Sequence, residues 1–383
     1  MKNFVKLIQQ VHKERYTKVL TKLIQTNPPH HVAFLSLAPV NQAVAIVKEL
    51  RAQGLNIYRL FVTDSIASLG DVEFDVVQVN NETRFDFNSE YVLTMGEEAS
   101  RFAVKIFPES KILSINICKG NPDDIYEIFM DHLDDLREVY ESLIDEESKK
   151  VFRGYWLGNI SGQFNRLVFS NTPHYICAGF LPERGAIVID GGLCDGGTAL
   201  RFSQMGYEVY GFEMDKINYE TSRKVGEENN FVVENLGLGS FKHNTNYTHL
   251  SNPGGSYLDV NGTETTQITT LDAYVREKNL PRVDYIKLDV EGSELDVLRG
   301  AATTIARFKP ILALSAYHKW DDFWVLMNFV KSVRPDYEFA MRQFGISKED
   351  GAYHFHTGRE EALDRFGLRP ILAGMEECVL LAR

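Results

Sequence analysis

A chain of 383 residues is too long for one ordinary domain and fits two, and with 44% hydrophobic and 11% aromatic residues it can bury a substantial core. A formal net charge of -12 works against a surface that binds by neutralising phosphates, so nucleic acid is not expected as a partner. Cys118, Cys177, Cys194 and Cys378 are scattered with no CxxC and no histidine at a zinc spacing, which points away from a disulfide framework or structural metal and toward a reducing cytoplasm.

The opening run MKNFVKLIQQVHKERY interrupts its apolar residues with Lys, Gln, His and Glu too often for a signal peptide. No apolar run approaches membrane-spanning length, which leaves at most peripheral attachment. Phe4, Ile8, Val11, Val19 and Leu23, with Leu7, Leu20 and Ile24, recur at helical spacing and predict an amphipathic helix ending near TNPP. HVAFLSLA then reads as a buried strand, NQAVAIVKELRAQG as a helix closed by Gly54, and NIYRLFVTD as a second strand. EFDVVQV, YVLTM and KILSINI extend the series, so residues 1–121 are expected to form a small α/β domain. The turn SLAPVNQA lacks a glycine-rich loop, and a docking or substrate-side role without a cofactor is expected for it. DDIYEIFMDHLDDLREVYESLIDEESKK is helical in pattern and strongly acidic; it is expected to be a solvated connector over residues 122–151, ahead of a second domain at 152–383.

AIVID is a short β-branched run suited to a central parallel strand, GGTALRFSQMG begins a helix ended by Gly206, and YEVYGFEMD is the next strand. Gly191, Gly192, Gly196 and Gly197 do not give the GxGxxG spacing of a dinucleotide loop, and no lysine follows Gly197 as a phosphate-cradling loop needs. The remaining pattern, Asp190-x-Gly192-x-x-x-Gly196 with Glu213 at the end of the next strand, suits S-adenosylmethionine. That cofactor needs close backbone approach rather than an anion cradle, and an acid to accept from its ribose hydroxyls. A glycine turn that merely lets strand and helix pack tightly is the competing reading. NNFVVENLGLGS predicts a third strand ending near Asn235, which either approaches the adenine or is an ordinary turn residue.

RVDYIKLDVEGSELDVLRGA places Lys287, Asp289 and Glu291 within five positions at a strand's carboxyl end, where ligands sit in open α/β sheets, ahead of a helix starting near Ser293 and capped by Gly300. Together, IVIDGGLCDGGT, GFEMD, VDYIKLDVEGSELDVLRGA and ILALSAYHKWDD resemble the FkbM-type family of S-adenosylmethionine-dependent methyltransferases, which mostly methylate hydroxyl oxygens. The likeness covers about Phe152 to Arg383, and KLDVEG is its specific part. It implies a Rossmann-like class I domain with a seven-stranded, mostly parallel sheet, YEFAMRQF and ECVLLAR being the last two strands. It further implies that Asp190, Gly192, Asp195, Gly196 and Thr198 shape the methionine end of the cofactor site and that Glu213 binds the ribose. Tyr175, in HYICAGFL, resembles an aromatic that lines the cofactor pocket, while Lys287, Asp289 and Glu291 are expected to face the reacting centre. A saccharide or glycosylated-metabolite hydroxyl is the acceptor the family implies.

Transfer to an alcohol needs alignment and a base. The strand KPILALSAYH delivers His318 to the same sheet edge, where it is expected to take the hydroxyl proton, with Asp289 or Glu291 as competing bases and a helix-capping role as the bland alternative. Asp289, Glu291, His318 and Asp321 could instead gather a divalent ion. His354 and His356, at alternate positions of AYHFHTG, read as surface residues. Two rival readings are a nicotinamide-dependent oxidoreductase, disfavoured by the glycine spacing, and a cofactor-binding module without chemistry.

Overall fold

The computed structural model describes residues 1–13, 32–52, 54–67, 69–80, 91–94, 97–107, 111–114, 122–161, 166–170, 172–249, 256–344 and 377–383. They fall into two compact units, one within Met1–Leu133 and Lys150–Phe169, the other within Asp134–Lys149, Ser170–Phe344 and Glu377–Arg383.

In the first unit α1 (Lys2–Lys13) precedes β1 (Val32–Ser36), α2 (Val40–Ala52), β2 (Ile57–Val62), β3 (Asp75–Gln78), β4 (Tyr91–Thr94), α3 (Glu97–Ile106), β5 (Lys111–Ser114) and α4 (Pro122–Asp131). The strands pair in parallel in the order β3-β2-β1-β4-β5. Every residue of β1 is buried because alternate side chains feed two cores. Val32 and Phe34 meet Val40, Ala43 and Val47 of α2, whereas Ala33 and Leu35 meet Ala99, Ala103 and Ile106 of α3. On α1, Phe4, Ile8 and Val11 are buried at helical spacing, and the Phe4 ring meets that of Phe129 edge-on at 5.7 Å. The rest of the helix expected toward TNPP lies outside the described residues.

The acidic stretch is helical but breaks into α4, α5 (Leu133–Ser142) and α6 (Glu146–Ser161). Its apolar residues are more than a solvated stripe: Ile125, Phe129, Leu136 and Val139 are almost wholly buried.

The second unit continues with β6 (Ile187–Gly191), α7 (Gly197–Gln204), β7 (Glu208–Phe212), α8 (Lys216–Asn229), β8 (Val232–Glu234), β9 (Gly237–Leu238), β10 (His243–Thr248), β11 (Tyr257–Leu258) and β12 (Glu264–Thr269). It closes with α9 (Leu271–Glu277), β13 (Tyr285–Leu288), α10 (Glu294–Gly300), α11 (Ala302–Phe308), β14 (Ile311–Ser315), α12 (Asp322–Val333), β15 (Phe339–Gln343) and β16 (Cys378–Ala382). The expected seven-stranded sheet is present, in the order β15-β16-β14-β13-β6-β7-β8, with β16 antiparallel to both neighbours. Local chemistry sets the element ends. Asp215 caps α8 by accepting from the amides of Ile217 and Asn218, and Thr270 caps α9 through the Ala273 amide. A four-stranded sheet, β11-β10-β12-β9, is inserted between β8 and β13 and was not expected from the sequence. Its polar strands HNTNYT and ETTQIT lack the apolar alternation that marks a half-buried strand.

Phe202 of α7 is fully buried against the central strands, with its ring 5.3 Å from that of Tyr285 and 6.2 Å from that of Tyr207. Phe202→Ala should cost about 3–5 kcal/mol through lost transfer energy and a residual cavity. A urea midpoint unchanged from wild type would show that the second unit does not depend on this contact.

Candidate active site

The glycine loop after β6 is shaped by a close approach of two backbones. Gly192 has φ +80°, and a Cβ there would lie 1.8 Å from the carbonyl oxygen of Asp289, so only glycine fits. Its amide and that of Leu193 both donate to the Phe212 carbonyl, which turns the loop toward β7. Asp195 Oδ1 accepts from the Gly197 amide at 3.0 Å, while its Oδ2 is buried without a hydrogen-bond partner among the described residues. Gly196, with φ +87°, starts α7 in the left-handed region, and half-buried Thr198 stands on the helix's first turn.

Asp190 and Lys287 lie beneath this loop. They face each other in the register of β6 and β13, with Lys287 Nζ 3.0 Å from Asp190 Oδ1 and side-chain exposures of 3% and 0%. The ammonium also donates to the carbonyls of Gly191 at 3.2 Å and Gly192 at 2.6 Å. Burial opposes the charge on Lys287, but the carboxylates of Asp190 and Asp289 outweigh it and raise its pKa above the ordinary value. Both residues therefore support the loop and present little surface to a ligand.

Glu213, just past β7, accepts from the amide of Cys194 through Oε2 and from that of Asp215 through Oε1, each at 2.8 Å. Burial dominates over these bonds and pushes its carboxyl up to about 7. Asn235 Nδ2 donates to the Glu213 carbonyl at 2.9 Å, so Asn235 props this strand end. A cavity opens here, lined by Gly192, Cys194 and Glu213, by Leu236, Leu238 and Ile268, and by Asp289, Val290 and Glu291. Ser256 and Leu258 of the inserted sheet's segment also line it, a contribution the sequence reading missed. Neither Asn235 nor Tyr175 is among the lining residues.

β13 leads into Asp289 and then a turn in which Glu291, at φ +52°, and Gly292, at φ +89°, are both left-handed. A glutamate in that region is strained, and the turn fixes where its carboxylate points. Asp289 is clamped from both sides, Oδ2 accepting from the Tyr175 hydroxyl at 2.9 Å and Oδ1 from the Tyr317 hydroxyl at 3.0 Å. Tyr175 is itself almost wholly buried and bonded to Ser315 Oγ at 2.9 Å, so it serves this carboxylate. Burial alone would raise Asp289, but Lys287, His318 and His174, with the Tyr175 hydrogen bond, hold it at about 2.

His318 sits among three acids. Its Nδ1 is 2.9 Å from Glu294 Oε1, and its Nε2 is 3.5 Å from Asp289 Oδ1 and 3.4 Å from Glu291 Oε2. Burial works against the imidazolium, yet the Glu294 contact and the fields of all three acids lift its pKa to about 9. Burial pushes Glu291 up to about 8, with His318 opposing and Asp289 and Glu294 adding to the rise. One ligand atom from each of Asp289, Glu294 and His318 lies within 4.8 Å of the others. The three residues form a group that could hold a metal ion. Asp321 is exposed at the start of α12 and stands apart from this cluster. His354 and His356 lie outside the described residues. Glu294 and Tyr317 were not singled out in the sequence. The first is a helix-initial acid three positions beyond Glu291, the second the neighbour of His318, and neither spacing signals a partner.

Residues 190–359 match the family model described as the methyltransferase FkbM domain. The chain carries an FkbM methyltransferase domain. That domain places it among the S-adenosylmethionine-dependent methyltransferases. Methyltransferase FkbM from Methylobacillus flagellatus KT shares the fold, with a TM-score of 0.58 at 16% identity over 92% of this chain and 90% of that one. A precorrin-6y C5,15-methyltransferase from Geobacter metallireducens GS-15 is more distant, with a TM-score of 0.30 at 10% identity over 56% of this chain and 91% of that one. The 16S rRNA N2 G1207 methyltransferase of T. Thermophilus gives 0.26 at 12% identity over 95% of this chain and 91% of that one. A comparison with curated proteins gives no match.

The FkbM domain's buried pair makes a direct prediction. Lys287→Met leaves Asp190 buried without its counter-charge and should cost about 3–5 kcal/mol, whereas Asp190→Leu combined with Lys287→Met should recover much of that loss. Urea denaturation of the four proteins checks both statements, and equal losses in the single and double variants would contradict them.

Proposed function

We propose that this chain transfers a methyl group from S-adenosylmethionine to a hydroxyl oxygen of a small acceptor, a saccharide or glycosylated metabolite, on a Rossmann-like class I domain. One observation carries the reading: Gly192 and Glu213 line the same cavity as Asp289 and Glu291. Candidate cofactor-binding and proton-accepting groups thus share one space.

The residues present fit the cofactor. Gly192 and Cys194 bring loop backbone to the cavity, and Glu213 offers carboxylate oxygens to ribose hydroxyls. When bound, S-adenosylmethionine supplies an electrophilic methyl group on a sulfonium. The chain's own task is to align an acceptor oxygen with that methyl and to remove its proton.

Among the candidate bases, environment favours Glu291. His318, lifted to about 9, already carries its proton at neutral pH. Asp289, held at about 2 by Lys287 and His318, is ionised but weakly basic and is suited to accepting a hydrogen bond that orients the acceptor. Glu291, at about 8, lies nearest the working range. In this reading Glu291 takes the hydroxyl proton while the His318 cation stands beside it. The three cysteines described are all free, in keeping with work in the cytoplasm.

Calorimetric titration with S-adenosylmethionine and, separately, NADH tests the cofactor. Binding of the former alone, in the micromolar range or about -8 kcal/mol, and its loss in Glu213→Ala are expected. Binding of NADH instead would sink the reading. With tritium-labelled cofactor methyl and a panel of sugar acceptors, Glu291→Gln should keep cofactor affinity and lose about 10²-fold or more in transfer rate. The wild-type rate should rise with pH through about 8, because Glu291 must be ionised to accept the proton. A rate that falls over that interval would exclude Glu291 as base.

A further inference from the structure

Three carboxyl groups surround one imidazole beyond the end of β13. His318 Nδ1 lies 2.9 Å from Glu294 Oε1, and its Nε2 lies 3.5 Å from Asp289 Oδ1 and 3.4 Å from Glu291 Oε2. None of these contacts is a hydrogen bond, for both ring nitrogens are buried and without a hydrogen-bond partner among the described residues. The neighbouring ammonium groups are turned elsewhere, Lys287 to Asp190 and the carbonyls of Gly191 and Gly192, Lys319 to the Gly292 carbonyl.

Glu294 adds an independent sign. It opens α10 with a side chain only 1% exposed, and its Oε1 accepts from the amides of Val290 at 2.9 Å and Gly292 at 3.4 Å. Its second oxygen, Oε2, is buried with no hydrogen-bond partner among the described residues. A neutral side chain could have capped the turn without desolvating a carboxylate oxygen, which is costly. Buried carboxylates are kept where they are paired or coordinate a metal.

We propose that Asp289, Glu294 and His318 form a site for one divalent cation such as Mn²⁺. One ligand atom from each lies within 4.8 Å of the others. Bonds of about 2.1 Å set adjacent ligand atoms about 3.0–3.4 Å apart and opposite ones about 4.2 Å apart, so modest side-chain movement brings the three onto one ion. Two carboxylates with one imidazole suit Mn²⁺, which accepts both donor kinds, better than Ca²⁺, which takes oxygen alone. The hydroxyls of Tyr175 and Tyr317, at 2.9 and 3.0 Å from the two Asp289 oxygens, orient that carboxylate as outer partners of a metal ligand do. Coordination needs a ring nitrogen without its proton, so the ion takes the place of the imidazole proton. Positive charge then stays beside Glu291 in either state. The metal site goes beyond methyl transfer; only its role in holding an acceptor oxygen near Glu291 rests on that reading.

The test is titration of the full chain with Mn²⁺ alone, without cofactor or acceptor, followed by loss of the free ion's electron paramagnetic resonance signal. Wild type should bind one Mn²⁺ whose spin echo is modulated by an imidazole nitrogen. His318→Gln should abolish that modulation, and His318→Gln and Glu294→Gln should each weaken binding by about tenfold or more. With 53 acidic residues the chain also offers loose surface sites, and binding unchanged in both variants would be of that kind and overturns the proposal. Failure of wild type to bind at millimolar Mn²⁺ also overturns it, and that result requires no variant to fold. Calorimetry with S-adenosylmethionine judges the methyl-transfer reading separately. A chain that binds the cofactor and not Mn²⁺ defeats the metal site alone, and one that binds Mn²⁺ and not the cofactor defeats that reading alone.

Discussion

The ammonium of Lys287, buried between β6 and β13, is the interaction on which the site's geometry turns. Taking a cation out of water is expensive, and here the cost is offset by Asp190 across the strand pair and by the carbonyls of Gly191 and Gly192. An apolar pair of equal volume could hold the strands together as well. It could not hold two loop carbonyls in place or lend positive charge to Asp289, whose carboxylate stays ionised partly through Lys287. The pair thus links the glycine loop after β6 to the carboxyl end of β13.

Geometry follows from that link. Gly192 can approach the Asp289 carbonyl only because it lacks a Cβ, and the approach brings the glycine loop against the end of β13. Glu213 then closes the loop from the neighbouring strand by taking the Cys194 amide. Three adjacent parallel strands, β7, β6 and β13, each contribute their carboxyl end, where backbone groups run out of ladder partners and ligands are commonly bound.

Much of this was legible in the sequence because it is local. Runs such as AIVID and HVAFLS are buried on both faces and announce themselves as central strands, and the seven-strand count followed from the KLDVEG resemblance. What was not legible depends on contacts between distant positions. Tyr175 meets Asp289 across 114 residues, and nothing in HYICAGFL distinguishes a ring that lines a cavity from one that clamps a carboxylate behind it. The inserted sheet is hidden by polar strands, and the acidic connector reads as one helix because its breaks, at His132 and beyond Ser142, carry no glycine or proline. Glu294 looks like an ordinary first-turn acid, the commonest role for glutamate at that position.

The acids at the site divide their work by environment rather than by identity. Asp289 and Glu291 are two residues apart on the same strand end, yet one is held at about 2 and the other lifted to about 8. Asp289 has Lys287 and His318 as counter-charges and two tyrosine hydroxyls as donors, all of which favour its ionised form. Glu291 is thrown outward by a left-handed turn, with the imidazole as its chief counter-charge and two other acids nearby. Separating two carboxylates in this way leaves one ionised and one able to change its charge near neutral pH. His318 couples them because it faces both through the same nitrogen. The two carboxylates therefore respond differently to the same change of pH although they stand at one strand end.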